Sequence, residues 1–350
     1  MANKQVIGVM AGIIVCIGAA AVYHYARVVP HKRPVVTLHH FQIKLLDSFP
    51  GGRESIALGL NNSGQVVGRA GRADSAYRAV IWKNGRPIDL GTFGGDFGEA
   101  RAISDDGTIV GSASQTDGTT HAFIYSHGHI RDIGLLSGGL YSYAADINNH
   151  DEAVGFGGTL GLSHAWTYTG GHLHDLGPEP GFISSTATHI TDSGSVIGGA
   201  SLDTDSGSHA FINKSGRFTD LGVLPKAAGS LAFGENENGE IVGTSGSTAR
   251  HSFPVIWKSG KIFKLETAHL RPYGVAQSIN SSGVVVGYFI GDFETHACEW
   301  RDGAMIDLND EISKSAGWDL LKATRINNRG DIIGKGRFNG REVGFLLSPL

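Results

Sequence analysis

The chain is poor in cysteine and lacks the apolar periodicity of helices. Only two of its 350 residues are cysteine, Cys16 in an N-terminal apolar run and Cys298 within a predicted strand. A disulfide framework is therefore not expected, and Cys298 is interpreted as a small buried hydrophobe. Beyond residue 35 no long segment has the 3.6-residue apolar period of a helix, so the fold is expected to contain little helix.

Basic charge is also scarce. The chain contains 29 Lys and Arg against 33 Asp and Glu, and four of the basic residues lie in the first 33 positions, where there are no acids. The remainder is thus mildly acidic and has no basic stripe. This composition argues against nucleic acid as a partner.

Motifs of common enzymes are missing as well. The sequence contains no Gly-x-Ser-x-Gly elbow and no His-Glu-x-x-His zinc motif. The glycine-rich segment 91–98 lacks the lysine and the following helix of a phosphate-binding loop. Sequence motifs therefore assign no catalytic residue and no cofactor.

What the sequence does contain is one phrase seven times. Copies of Ile-Asn-x-x-Gly-x-Val-Val-Gly end on glycines at positions 68, 111, 155, 198, 243, 287 and 334. A period of about 44 residues marks a repeat architecture. Residues that recur in every copy are interpreted as architectural, so residues that break the pattern are the candidates for function.

Each unit continues with a His-Ala-Phe phrase and an Asp-Leu-Gly phrase, which is typical of short strands bounded by turns. The Asn-x-x-Gly element predicts a hairpin with a type I turn that ends on glycine at positive φ. The second turn of each unit, such as Asn84-Gly85, is assigned the same way. In the third copy Asp151 replaces the first-turn glycine, and aspartate tolerates that conformation better than most residues.

Four strands in each of seven units predict an all-β fold, a seven-bladed β-propeller of four-stranded antiparallel blades over residues 36–350. The last unit ends at Leu347 after its third strand, while the alternating segment 41–46 precedes the first unit. We therefore expect this N-terminal strand to complete the seventh blade and close the ring. An open β-solenoid is the alternative, and it would need a polar cap at each end.

Residues 1–35 form a separate segment. Residues 6–23 are an uncharged apolar run, long enough for a helix to cross a hydrocarbon core of about 30 Å. One interpretation is a transmembrane anchor that holds the propeller outside the cytoplasm. The other is a cleaved signal peptide, with Lys4 before the run and small residues 19–21 at the cleavage site. Charge alone does not decide the orientation.

The three phrases together resemble the HAF-repeat family, which consists of predicted bacterial extracellular repeat proteins. The resemblance covers roughly residues 41–350, for example His209-Ala210-Phe211 followed by Asp220-Leu221-Gly222. It implies a location in the cell envelope or secretion. It implies no activity, because the family brings no catalytic residues that could be transferred to this chain.

The histidines fall into two groups. Those that recur in the third strand of a unit (121, 164, 209 and 296) are interpreted as structural residues whose imidazole hydrogen-bonds to a neighbouring loop. The recurrent aspartates 89, 132, 175, 220 and 307 are also interpreted as structural. Five others lie in or beside hairpin turns of two adjacent units: His127, His129, His150, His172 and His174. Neutral imidazoles on rigid hairpins bind zinc or copper. A metal-binding surface patch is thus one hypothesis, and solvated turn residues are the other.

For function, we expect a non-catalytic binding or scaffolding propeller of the cell envelope, whose ligand is an unidentified protein or carbohydrate. One alternative is an envelope enzyme, a lyase or hydrolase acting on a sugar or cell-wall polymer at the central channel, which Asp96, Glu99 and Arg101 would help to line. A carbohydrate-binding, lectin-like propeller is a third possibility. Clustered carboxylates with a buried His or Arg in the channel would favour an enzyme, and an apolar plug would favour a scaffold.

Overall fold

A computed structural model describes residues 41–350 apart from 160–161, 178–180, 202–206, 248–250, 268–272 and 292–293. In this part of the chain, 28 strands form seven four-stranded antiparallel sheets. The apolar run 6–23 lies outside the described residues. Among the residues described, no helix has the length and apolar character needed to cross a membrane.

The strands follow one another around the ring in chain order. The N-terminal strand is β1 (Phe41–Leu46). Blade 1 contains β2 (Ser55–Leu60), β3 (Val66–Gly71), β4 (Tyr77–Lys83) and β5 (Arg86–Asp89), and blade 2 contains β6 (Gly94–Ile103), β7 (Ile109–Gln115), β8 (Thr120–Ser126) and β9 (His129–Gly134). Blade 3 contains β10 (Tyr141–Ile147), β11 (Ala153–Thr159), β12 (Leu162–Thr169) and β13 (His172–Asp175), and blade 4 contains β14 (Ser184–Ile190), β15 (Val196–Ser201), β16 (Ser208–Lys214) and β17 (Arg217–Asp220). Blade 5 contains β18 (Gly229–Glu235), β19 (Ile241–Gly246), β20 (Ser252–Lys258) and β21 (Lys261–Lys264), and blade 6 contains β22 (Gly274–Ile279), β23 (Val285–Ile290), β24 (Thr295–Arg301) and β25 (Ala304–Asp307). Blade 7 contains β26 (Trp318–Ile326), β27 (Ile332–Phe338) and β28 (Arg341–Pro349), together with β1. Two short 3₁₀ turns, Leu308–Asp310 and Lys314–Ala316, precede β26.

The ring closes through its N-terminal strand, as predicted. β1 pairs antiparallel with β28, from Phe41 opposite Pro349 to Leu46 opposite Gly344. Phe41 and Leu46 are buried. Phe41 packs in the core between blades 6 and 7, and Leu46 packs in the core between blades 7 and 1. The first strands of neighbouring blades contact one another all the way round, including β26 with β2. The closed seven-bladed propeller is confirmed, and the open solenoid is excluded.

The hydrophobic core lies between blades. A representative cluster joins Val154 and Ala165 of blade 3 to Ala187, Ile190 and Phe211 of blade 4. Each blade therefore buries its apolar faces only by packing against its neighbours, which explains why the ring must close.

Each recurrent histidine pairs with the recurrent aspartate of its own blade. Imidazole Nδ1 lies 2.8 to 3.3 Å from the carboxylate of the outermost strand in four blades: His121–Asp132, His164–Asp175, His209–Asp220 and His296–Asp307. In blade 1 an arginine takes the place of the histidine, with Arg78 Nε 3.6 Å from Asp89. These contacts agree with a structural role, but the partner is the outer strand of the same blade and not the neighbouring loop that was predicted.

A serine on the first strand of some blades forms hydrogen bonds to the preceding blade. Ser142 accepts a hydrogen bond from Ala122 N at 2.9 Å and donates one to Gly134 O at 2.7 Å. It thereby ties blade 3 to the His-Ala-Phe and Asp-Ile-Gly segments of blade 2. Ser55 forms the equivalent bridge at ring closure, to Gly344 N and Leu46 O.

The two hairpin turns of each blade differ from each other. In the first, Gly64 N donates to Asn61 O and Gly64 has φ +83°, as predicted; Asp151, which replaces glycine in blade 3, adopts φ +59°. The prediction of the same turn for Asn84-Gly85 was wrong, because φ is +53° and +79° at these residues. Two consecutive positive φ values define a two-residue type I′ loop, whose twist matches that of the paired strands.

Candidate axial ligand site

A β-bulge in the first strand of every blade positions the candidate site. The pairing of the first and second strands shifts register just before the Ile-Asn phrase in all seven sheets. Bulges re-aim the side chains that follow them and are common beside functional sites. The residues immediately after the bulge are Gly59, Ala102, Asp146, His189, Gly234, Ser278 and Arg325.

This position is the least repetitive part of the motif. On the side of blades 1 and 2 it is close-packed, because a Cβ added to Gly59 would lie 2.8 Å from Ala102 Cα. Asp146, His189, Ser278 and Arg325 supply polar side chains from blades 3, 4, 6 and 7. All seven blades therefore share the bulge, but the side chains that follow it differ in chemistry from blade to blade.

The asparagines of the Ile-Asn phrase form a hydrogen-bonded belt around the axis. Each side-chain amide donates to the backbone carbonyl of the equivalent turn in the next blade, at 3.0 to 3.2 Å: Asn61 to Ser104, Asn148 to Thr191, Asn236 to Asn280, Asn280 to Asn327 and Asn327 to Asn61. These residues are buried. Their recurrence thus has an architectural explanation.

The next position in each turn forms a second, exposed ring. The side chain at this position often accepts a hydrogen bond from the backbone N–H of the preceding blade, as in Asn62 N to Asp105 and Asp105 N to Asn149, both at 2.8 Å. This rim contains three carboxylates among its seven members: Asn62, Asp105, Asn149, Asp192, Glu237, Ser281 and Asn328. The rim amides are neutral donors, so the rim is acidic.

The belt and the rim enclose a cavity of about 240 Å³ on the ring axis, which we call the axial cavity. All seven blades line it. Asp146, His189, Ser278 and Arg325 lie along its wall with Glu235, which replaces the isoleucine of the repeat in blade 5. The lining also contains six apolar residues of the repeat: Leu60, Ile103, Ile147, Ile190, Ile279 and Ile326. The cavity wall is thus mixed, and it contains ionic side chains that an apolar plug would not contain.

Asp146, His189 and Arg325 form an ionic cluster across the axis, in which Asp146 is buried and the other two are half-buried. Asp146 Oδ2 contacts His189 Nδ1 and accepts a hydrogen bond from Ile190 N at 3.2 Å. Arg325 Nη2 lies 3.5 Å from Asp146 Oδ1, although the two residues are 179 positions apart. Burial disfavours ionisation of Asp146, but the charges of His189 and Arg325 outweigh it and hold its pKa below the usual range.

Both ring nitrogens of His189 face acceptors. Nε2 lies 3.0 Å from the backbone oxygen of Glu235, which can only accept a hydrogen bond, and Nδ1 contacts the ionised Asp146. Nε2 therefore carries a proton, and oxygen atoms occupy both edges of the ring. The ring is thus held in place, and neither nitrogen is open to a ligand or a metal ion.

Glu235 occupies a separate, satisfied position beside the cluster. Its carboxylate accepts a hydrogen bond from Ser195 Oγ at 2.7 Å and lies 3.3 Å from Lys214 Nζ. The side chain of Glu235 is almost fully buried, whereas that of Lys214 is mostly exposed. The negative charge of Glu235 is therefore balanced locally by Lys214.

The histidines of the predicted surface patch lie elsewhere. All five are exposed, in or next to turns of blades 2 and 3: His127, His129, His150, His172 and His174. Within the described ranges, no three His, Cys, Asp or Glu side chains are grouped so that they could hold a metal ion. The metal-binding patch stays a prediction.

Asp96, Glu99 and Arg101 are not among the residues that line the axial cavity. Glu99 pairs with Arg69 of blade 1 at 2.8 Å and with Arg101 of its own strand at 3.1 Å. Asp96 receives a hydrogen bond from Arg78 on its backbone oxygen, at 2.9 Å. These contacts join blades 1 and 2.

Sequence reasoning missed the ionic cluster on the wall of the axial cavity. Two signals were present in the sequence: the position before Ile-Asn varies from glycine to arginine between copies, and Glu235 stands where the other copies have isoleucine or leucine. A comparison of the copies column by column would have selected these residues.

Comparison with known proteins supports the fold. A streptogramin B lyase structure superimposes with a TM-score of 0.57 and 10% identity, covering 89% of this chain and 98% of the other. The β-propeller domain of the Trilobed protease from Pyrococcus furiosus gives a TM-score of 0.54 at 11% identity, over 84% of this chain and 93% of that domain. An acylaminoacyl peptidase from Pyrococcus horikoshii gives 0.50 at 13% identity, over 83% of this chain and 52% of the peptidase.

No protein-family model matches the chain, and no curated protein sequence matches it significantly. At 10 to 13% identity, the structural similarities show a propeller fold and nothing finer about activity.

Proposed function

We propose that the protein is a ligand-binding propeller whose binding site is the axial cavity. The observation that carries the proposal is the meeting of Asp146, His189, Ser278 and Arg325 at one place on the axis. The architecture does not require them, because Gly59, Ala102 and Gly234 serve the same position in other blades. Burying an ion cluster costs free energy that apolar residues would not cost. Ligand recognition gives a reason for the cluster.

The geometry favours binding over catalysis. His189 is held between two acceptors, and Asp146 is engaged by His189, Arg325 and a backbone N–H. Such a network is a rigid set of charges that orients a ligand. The family resemblance of the repeat phrases supports a position in the bacterial cell envelope, where the ring would present this cavity to a soluble ligand.

A thermal-shift screen of small polar compounds tests the proposal, with a matched variant as the control. Asp146→Ser/His189→Ala/Arg325→Ser replaces the cluster with residue types found at the equivalent positions of other blades. A ligand at about 100 times its Kd stabilises the native state by about 2.7 kcal/mol, which raises Tm by a few degrees. We expect such a shift for wild type and none for the triple variant. No shift with any compound, or equal shifts in both proteins, would contradict the proposal.

An enzyme is the second candidate, and one observation favours it. The channel contains a buried carboxylate together with a half-buried histidine and an arginine, which is the arrangement expected of a catalytic channel rather than of a scaffold. The test is mass spectrometry of any compound that binds. Conversion by wild type that Asp146→Asn abolishes would support the enzyme, and recovery of the compound unchanged would exclude it.

A further inference from the structure

We infer that the axial cavity recognises a small zwitterion, an α-amino acid or a short peptide, with its carboxylate on Arg325 and its ammonium group towards the rim. This inference rests on the proposed function and specifies its ligand. Three features of the cavity carry it: the partners of the carboxylates beside Arg325, the hydrogen-bonding capacity of Arg325, and the charge of the rim.

The carboxylates beside Arg325 already have partners. Asp146 contacts His189 and accepts a hydrogen bond from Ile190 N at 3.2 Å. Glu235 accepts a hydrogen bond from Ser195 Oγ at 2.7 Å and lies 3.3 Å from Lys214 Nζ. The guanidinium of Arg325 is therefore available to meet an anionic group of a ligand.

Arg325 has the capacity to bind a carboxylate. A guanidinium has five N–H donors, and among the described residues the acceptor found for Arg325 is Asp146 Oδ1, at the long distance of 3.5 Å. Its side chain lies on the wall of the cavity and is 19% exposed. The planar fork of a guanidinium binds a carboxylate through two parallel hydrogen bonds.

The rim has the opposite charge. Asp105 and Asp192 receive hydrogen bonds from neutral amides and backbone N–H groups, among them those of Asn149, which leaves their charges in place. Glu237 is exposed on the same ring. A simple anion would be repelled on entry, whereas the ammonium group of a zwitterion is attracted.

The size of the cavity limits the ligand. A volume of about 240 Å³ is slightly below the common range for ligand pockets. It suits an amino acid or a dipeptide. The direction of binding follows from the two charges, with the carboxylate inward and the amino group outward.

Calorimetric titration tests this inference with the proteinogenic L-amino acids and L-alanyl-L-alanine, each beside its carboxamide. We expect at least one free acid to bind wild type, and its carboxamide to bind at least about tenfold more weakly, because it cannot form the charged pair. In Arg325→Ser the free acid should lose affinity to the level of the amide. Asn238→Ser, on the same turns but not lining the cavity, is the control and should retain the preference.

Equal affinity for acid and amide, a preference that persists in Arg325→Ser, or no binding of any free acid would overturn the inference. The proposed function can survive that result. If a neutral compound shifts the Tm of wild type but not of the triple variant, the cavity binds a ligand of another class. If no compound distinguishes the two proteins, the proposed function fails as well.

Discussion

The ionic cluster makes an unusual prediction about stability, because removing one member should be worse than removing all three. In His189→Ala, the 6%-exposed carboxylate of Asp146 loses its closest partner and keeps Arg325 at 3.5 Å and Ile190 N at 3.2 Å. Breaking a buried ion pair costs about 3–5 kcal/mol, and the remaining partners reduce this to about 2–3 kcal/mol here.

The triple variant Asp146→Ser/His189→Ala/Arg325→Ser leaves no buried charge in the cluster. Replacement of a whole buried ion cluster is commonly neutral or stabilising. We expect the free energy of unfolding of the triple variant to lie within about 1 kcal/mol of wild type, or above it. The two variants should therefore differ by about 2 kcal/mol, with the more heavily substituted protein the more stable.

Urea unfolding followed by tryptophan fluorescence measures this difference, since Trp166 is fully buried and reports loss of packing. Acidification gives a second readout. The pKa of Asp146 is lowered on folding, so its contribution to stability is present above the unfolded value of about 3.8 and is lost as pH falls through the lower folded value. Wild type should thus lose more stability than the triple variant below about pH 4. A triple variant as unstable as His189→Ala would refute the reasoning.

Three further predictions concern the ring. Deletion through residue 46 removes β1 with its buried Phe41 and Leu46. Relative to a chain that starts at residue 36, the deletion should lower the free energy of unfolding by about 3–6 kcal/mol and promote association through the exposed edge of β28. Urea unfolding and light scattering measure these two effects, and equal stability would contradict the closure. Asn327→Ser removes the 3.0 Å hydrogen bond to Asn61 O and should lower the free energy of unfolding in urea by about 1–2 kcal/mol. Asn328→Ser, at an exposed position, is the control. A loss of stability in Asn327→Ser no larger than in this control would count against the belt. Burial raises the pKa of the Cys298 thiol well above its usual value. In the chain from residue 36, a thiol reagent should therefore react with Cys298 only after unfolding. Rapid stoichiometric labelling of the native protein would show that the thiol is accessible and would contradict this prediction.

The ring could be predicted from the sequence because its determinants recur. Each copy repeats the residues that end strands and form turns, and the strand missing after Leu347 is present at Phe41–Leu46. The structural role of His209 and Asp220 also followed from their recurrence. The turn at Asn84-Gly85 was assigned wrongly because the sequence pattern did not reveal a two-residue loop.

The candidate site could not be predicted in the same way. Its side chains follow a bulge, and a shift of one residue in a strand reverses the direction of every side chain beyond it. The contact between Arg325 and Asp146 also joins blades 7 and 3 across the axis, which no local pattern encodes. Only the departures from the repeat, at these two residues and at Glu235, marked the place.

The position of a bound ligand tests the central claim most directly. A crystal structure of the protein with any compound that shifts its Tm should show that compound in the axial cavity, in contact with the guanidinium of Arg325 and bounded by the rim of Asp105 and Asp192. A compound bound at the outer strands or between two blades, with the axial cavity holding only solvent, would contradict the account.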